Sequence, residues 1–87
     1  MPQALFYAKK EIGKMDYPVI DIEGTGTHIR DLIRESGHTV TEVSEYLGTS
    51  TSLVYRYIRG EVLPSVDRMV ALSVYLEVPI ERIIAVE

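Results

Sequence analysis

From Thr27 to the C-terminus, apolar positions recur every three or four residues, broken at short intervals by Gly, Pro, Ser and Thr. Ile29, Leu32 and Ile33 stand at i, i+3 and i+4, with Arg30, Asp31, Arg34 and Glu35 on the other side, which predicts a first helix ending at Gly37. "TVTE" (39–42) is a capping box. The Thr39 hydroxyl can accept from the N–H three residues on, while Glu42 reaches back. A second helix over roughly Val40–Leu47 then buries Val43 and Leu47 and stops at Gly48.

The next stretch, "TSTSLVYRYIRG" (49–60), is crowded with β-branched and aromatic residues, a strand-like composition. As a strand, both faces would mix apolar with charged side chains. As a helix capped by Ser50, it sorts: Val54, Tyr57 and Ile58 on one face, Ser52, Tyr55, Arg56 and Arg59 on the other. The helix is the better fit. Pro64 and Ser65 open a fourth helix whose apolar stripe is Val66, Met69, Val70, Leu72 and Leu76. Pro79 starts a last short one carrying Ile80, Ile83 and Ile84. Five helices fit between residues 27 and 85.

The first 23 residues read differently. Positions 3–12 can form a short helix, Lys9 and Lys10 in its last turn, and "DYPVIDIE" (16–23) reads as extended because Pro18 disfavours helix at Tyr17. Such a lone strand must pair across a dimer or pack as an ordered arm. Met15 is an alternative start of translation. "GTGT" (24–27) reads as a hinge and N-cap rather than a phosphate loop, since a lone G-x-G lacks the third glycine and the preceding strand. Residues 1–23 are accordingly an extension and 24–87 one domain.

Composition narrows the classes. At 87 residues the chain buries only about 60–65% of its unfolded surface, so help from a second subunit is plausible. Zero cysteines exclude disulfides and thiolate metal sites and lean towards a cytoplasmic location. No apolar run approaches the roughly 20 residues of a membrane helix. The net charge is −4; from Gly24 onward six arginines face nine acids, about −3, so any nucleic-acid contact must rest on a local patch. No Cys–His, Ser–His–Asp or paired-carboxylate set stands at usable spacing, so no enzyme, metal site or cofactor is expected. His28 and His38 flank the first helix as surface or cap residues.

Two helices joined by a Gly-containing turn, the second with a polar outer face, make a helix-turn-helix. In order, "IRDLIRESG", "TVTEVSEYLGTSTSLVYRYIRG" and "LPSVDRMVALSVYLEVPIERII" resemble the phage-repressor/Cro-like (XRE-type) helix-turn-helix regulators over residues 26 to 84. The resemblance implies an all-α, compact five-helix repressor-like DNA-binding domain, here with a short N-terminal extension. It implies a cytoplasmic transcription regulator, a homodimeric repressor on double-stranded operator DNA, with no small-molecule effector legible. The DNA-binding residues it implies are Thr39, Ser50, Thr51, Ser52, Tyr55, Arg56 and Arg59. Thr51 and Ser52 match base-contacting positions; Arg56 suits guanine O6/N7 or a phosphate, and Ser50 and Arg59 suit phosphates. The blander role for Arg56 is an ion pair with Glu42 or Glu45.

The chain departs from the family at four places: Val40 stands where Gln often binds a phosphate, "EVL" (61–63) replaces a basic segment, Glu77 replaces Gly, and His38 replaces an apolar staple. These departures, with Leu53, Val62, Val74 and Tyr75 reading as an exposed apolar patch, keep a second function open: a protein-interaction module such as an antitoxin or anti-regulator on the same fold.

Overall fold

The computed structural model describes residues 17–87. The expected N-terminal helix (3–12), the three lysines and Met15 lie outside the described residues. Four α-helices follow one another, α1 (Ile22–Ser36), α2 (Val40–Leu47), α3 (Thr51–Ile58) and α4 (Val66–Leu76), then a 3-10 turn over Ile80–Arg82. Where a last short helix was expected, the chain makes only that turn; Ile83 is nonetheless fully buried. The core is assembled from every helix: Ile29, Leu32 and Ile33 from α1, Val43 from α2, Val54 and Tyr57 from α3, Leu72 and Leu76 from α4.

The start of α1 corrects the sequence reading. Gly24–Thr27 is not a hinge: the helix begins at Ile22, capped by Asp21, whose carboxylate accepts from the Gly24 N–H at 3.0 Å. The glycines serve packing instead. A Cβ at Gly26 would lie 2.6 Å from the Ile58 carbonyl oxygen and also against that of Tyr57, so glycine alone lets α1 approach the end of α3. Thr25 is buried, and its hydroxyl accepts from the Ala85 N–H at 2.9 Å.

The extended reading holds for residues 17–20, and its partner is the chain's own C-terminus. Ile20 and Val86 form an antiparallel bridge. Asp21 N–H donates to Ala85 C=O and Glu87 N–H to Val19 C=O, both at 2.9 Å.

Local chemistry sets the other helix limits. Thr39 and Glu42 form the reciprocal capping box at 3.1 and 2.9 Å. Ser50 and Ser65 accept from the Leu53 and Arg68 N–H groups, each at 3.2 Å. Gly48 closes α2 in the left-handed region, and α4 closes the same way at Glu77, φ 58°.

The expected apolar patch is also redrawn. Leu53, Val62 and Tyr75 are half-buried and pack against the core. Tyr75 is stacked between His38 and Tyr46, with ring centroids 4.4 and 4.3 Å away. Val74 is exposed as expected, but Val66 and Val70, placed in the inward stripe of α4 by periodicity, face outward at 75% and 50% exposure. The three valines lie at i, i+4 and i+8, one exposed line along α4.

Candidate nucleic-acid interface

Helices α2 and α3, joined by Gly48–Ser50, form the helix-turn-helix. Packing orients α3 about its axis. Val54 and Tyr57 are buried, and Ile58 is half-buried against the core. The Tyr57 hydroxyl reaches the Arg68 guanidinium at 3.4 Å, so the ring is sunk without orphaning its polar tip. With that face inward, Ser52, Tyr55, Arg56 and Arg59 are all exposed on the opposite one.

Of the sequence-proposed residues, Ser52, Tyr55, Arg56 and Arg59 therefore share one exposed face of α3. Ser50 and Ser52 are exposed at the start of α3, and Thr51 is half-buried. Ser50 satisfies one of the first N–H groups, and the neighbouring N–H groups of an α-helix N-terminus have no intrahelical partner. Thr39 is exposed at the start of α2; its hydroxyl accepts from Glu42 N–H and keeps its own proton to donate.

Arg56 pairs with neither Glu42 nor Glu45. Its Nε lies 3.5 Å from Glu61 Oε1, while Arg59 Nε donates to Glu61 Oε2 at 2.7 Å. One carboxylate thus spans both cations of the exposed face. The Arg59 hydrogen bond holds the Glu61 carboxyl below its usual range, and the same contact pushes the Arg59 guanidinium up. Sequence reading treated Glu61 only as an acid in a loop. The signal was its spacing, two and five residues after the arginines, across a helix end that turns back at Gly60.

The two histidines are structural. His28 Nδ1 donates to the Ile83 carbonyl at 3.3 Å, tying α1 to the C-terminal turn. His38 lies 3.4 Å from Glu42 and against Tyr75. No helix among the described residues is long and apolar enough to cross a membrane.

The model of the helix-turn-helix family matches residues 29–83. A Pyrococcus furiosus protein, provisionally named as an HTH-type transcriptional regulatory protein, is 28% identical over 88 aligned positions; the match covers 93% of this chain. The chain spans only 27% of that relative's length. Among solved structures, the restriction-modification controller protein C.AhdI of Aeromonas hydrophila superposes with TM-score 0.67 at 21% identity, covering 72% of this chain and 96% of that one. The clp gene regulator ClgR of C. glutamicum gives 0.65 at 20% identity (70% and 79% covered). The DNA-binding domain of BldD gives 0.64 at 21% (74% and 93%). These likenesses carry the fold, and the family match, over the residues that build α2 and α3, carries the assignment. The chain belongs to the helix-turn-helix family whose model matches residues 29–83, of the phage-repressor/Cro-like type.

Proposed function

We propose that this chain represses transcription as a cytoplasmic homodimer, each protomer laying α3 in the major groove of operator DNA. The observation that carries the reading is the division of α3, with Val54 and Tyr57 buried and Ser52, Tyr55, Arg56 and Arg59 exposed along one face. In this reading Thr51 and Ser52 meet base edges at the N-terminal end, where recognition helices read the groove. Arg56 reads guanine O6/N7, and Tyr55 packs beside it. Ser50, Thr39 and Arg59 hold phosphates, which set register rather than sequence. The chain does no chemistry of its own. The exposed Val66, Val70 and Val74 line supports self-association.

The test is enrichment of duplexes from a random library, followed by salt-dependent binding of wild type and Arg56→Ala. The mutant should lose at least several-fold on the enriched duplex, because a guanine contact is worth about 1–3 kcal/mol. Binding no tighter to the enriched duplex than to random sequence at low salt would sink the reading. For the dimer, Val70→Glu should lower the sedimenting mass and remove the dependence of the melting temperature on protein concentration.

One observation favours a second reading, an interaction module on the same fold. Glu61 occupies both Arg56 and Arg59 in the free protein. In that case Arg56→Ala would leave DNA binding unchanged and weaken capture of a protein partner.

A further inference from the structure

A groove of about 310 Å³ runs alongside α3, outside the set of residues assigned above except for Tyr55. Its apolar floor is Ile33 of α1, Val40 of α2 and Ile58 of α3; Arg30, Arg34 and His38 line it with Tyr55. Tyr55 belongs at once to the exposed face of α3 and to this groove, so the groove begins where the recognition face ends.

We propose that this groove holds the sugar–phosphate backbone of one DNA strand, with Arg30 and Arg34 as its phosphate ligands. This rests on α3 being the recognition helix. An α-helix with its side chains is about 10–12 Å across and the major groove about 12 Å wide, so the backbones bounding the groove pass close along the helix flanks. The flank beside Tyr55 carries two arginines and a histidine over an apolar floor. The floor suits deoxyribose and the guanidinium groups suit phosphate oxygens. Among the described residues Arg30 is engaged only with its chain neighbour Asp31, at 3.2 Å, and its side chain is exposed. An Arg presents five N–H donors, so this contact leaves others for a phosphate. The Arg34 side chain, on the last turn of α1, makes no ion pair or hydrogen bond with another described residue. The Glu61 carboxylate that occupies Arg56 and Arg59 does not line this groove. Among the described residues this flank is therefore less neutralised by carboxylates than the Arg56–Arg59 face.

The experiment compares Arg34→Gln, Arg30→Gln and the double variant with Arg82→Gln. The last removes one charge too, but from a residue outside the groove that faces Glu35 at 3.5 Å. All are exposed, and melting curves confirm folding. Binding is measured against salt on duplexes enriched by wild type and on a random duplex. Each groove substitution should weaken both duplexes alike and flatten the slope of log affinity against log salt by about 0.9, the double by about 2, with sequence preference kept. Arg82→Gln should do neither. If the groove variants behave like Arg82→Gln while wild type still prefers its enriched duplex, the groove assignment is wrong and the recognition-helix reading stands. If wild type shows no preference but the groove slopes fall, the specificity reading fails and the groove site stands. Absence of any DNA binding at low salt overturns both. In a parallel arm, benzoate is titrated into free protein and followed by NMR. Saturable shifts at Tyr55 and Ile33, together with unchanged DNA slopes, would make the groove a small-anion site and overturn the proposal.

Discussion

Arg59 Nε donates to Glu61 Oε2 at 2.7 Å, and the other oxygen of the same carboxylate faces Arg56 at 3.5 Å. On an exposed helix end this arrangement contributes little to stability and much to the local field. It lowers the attraction of this exposed face for any polyanion, so under the proposed reading a duplex must displace Glu61 to engage both cations. Random sequence is thereby disfavoured. Glu61→Gln is expected to raise affinity for random duplex several-fold at low salt and to steepen the salt slope by about 1–2, as one or two more cations become available to phosphates. The melting temperature should not change measurably. An unchanged salt slope would show that the carboxylate does not restrain the arginines.

Gly26→Ala sets two effects against each other. Alanine favours a helix interior by about 1 kcal/mol over glycine. Here its Cβ meets the backbone carbonyls of Tyr57 and Ile58, which cannot rotate away as a side chain can. Overpacking of this kind costs about 1–3 kcal/mol, so the clash wins. The variant should melt lower and, because the displaced element is the end of α3, bind DNA more weakly. A melting temperature equal to or above wild type would refute the close approach.

Glu77 is the one described residue other than glycine with positive φ, at 58°. A side chain in the left-handed region costs about 1–2 kcal/mol, partly offset by the greater freedom glycine gains in the unfolded chain. Glu77→Gly should therefore stabilise the domain by about 0.5–1 kcal/mol in urea titration, with the slope of the transition unchanged. Glu77→Ala should show no such gain.

The pH dependence follows from the capping box. The Thr39 backbone N–H, and secondarily His38, hold the Glu42 carboxyl below the usual 4.5. A carboxyl depressed on folding stabilises above its unfolded pKa and loses that contribution as pH falls through the lower folded value. Wild type should exceed Glu42→Gln in melting temperature from neutral pH down to about 5, and the gap should shrink below 4.5. A gap that persists unchanged into strong acid would mean that the carboxylate charge contributes nothing.

Sequence determined α2 and α3 almost to the residue, because their limits are written in chemistry that acts over three or four positions. Thr39 with Glu42, Gly48 and Ser50 cap and stop these helices whatever packs against them. The inward and outward faces of α3 followed from 3.6-residue periodicity, even though its composition favours a strand. The gathering of Ser52, Tyr55, Arg56 and Arg59 on one surface was legible for the same reason.

Other features depended on residues far away in the chain, and only the tertiary structure decided them. The glycines of "GTGT" look like a hinge until Tyr57 and Ile58 lie against Gly26; Ala85, meanwhile, pairs with Asp21 and Thr25. Periodicity alone placed Val66 and Val70 inside and Tyr75 outside. The docking angle of α4, and the His38 and Tyr46 rings on either side of Tyr75, reversed that order. Which acid meets Arg56 was also a tertiary matter, since the left-handed turn at Gly60 carries Glu61 back over the end of α3. Helix limits are local free-energy minima that a few neighbours suffice to set, whereas burial and ion pairing belong to surfaces that exist only once the helices have packed.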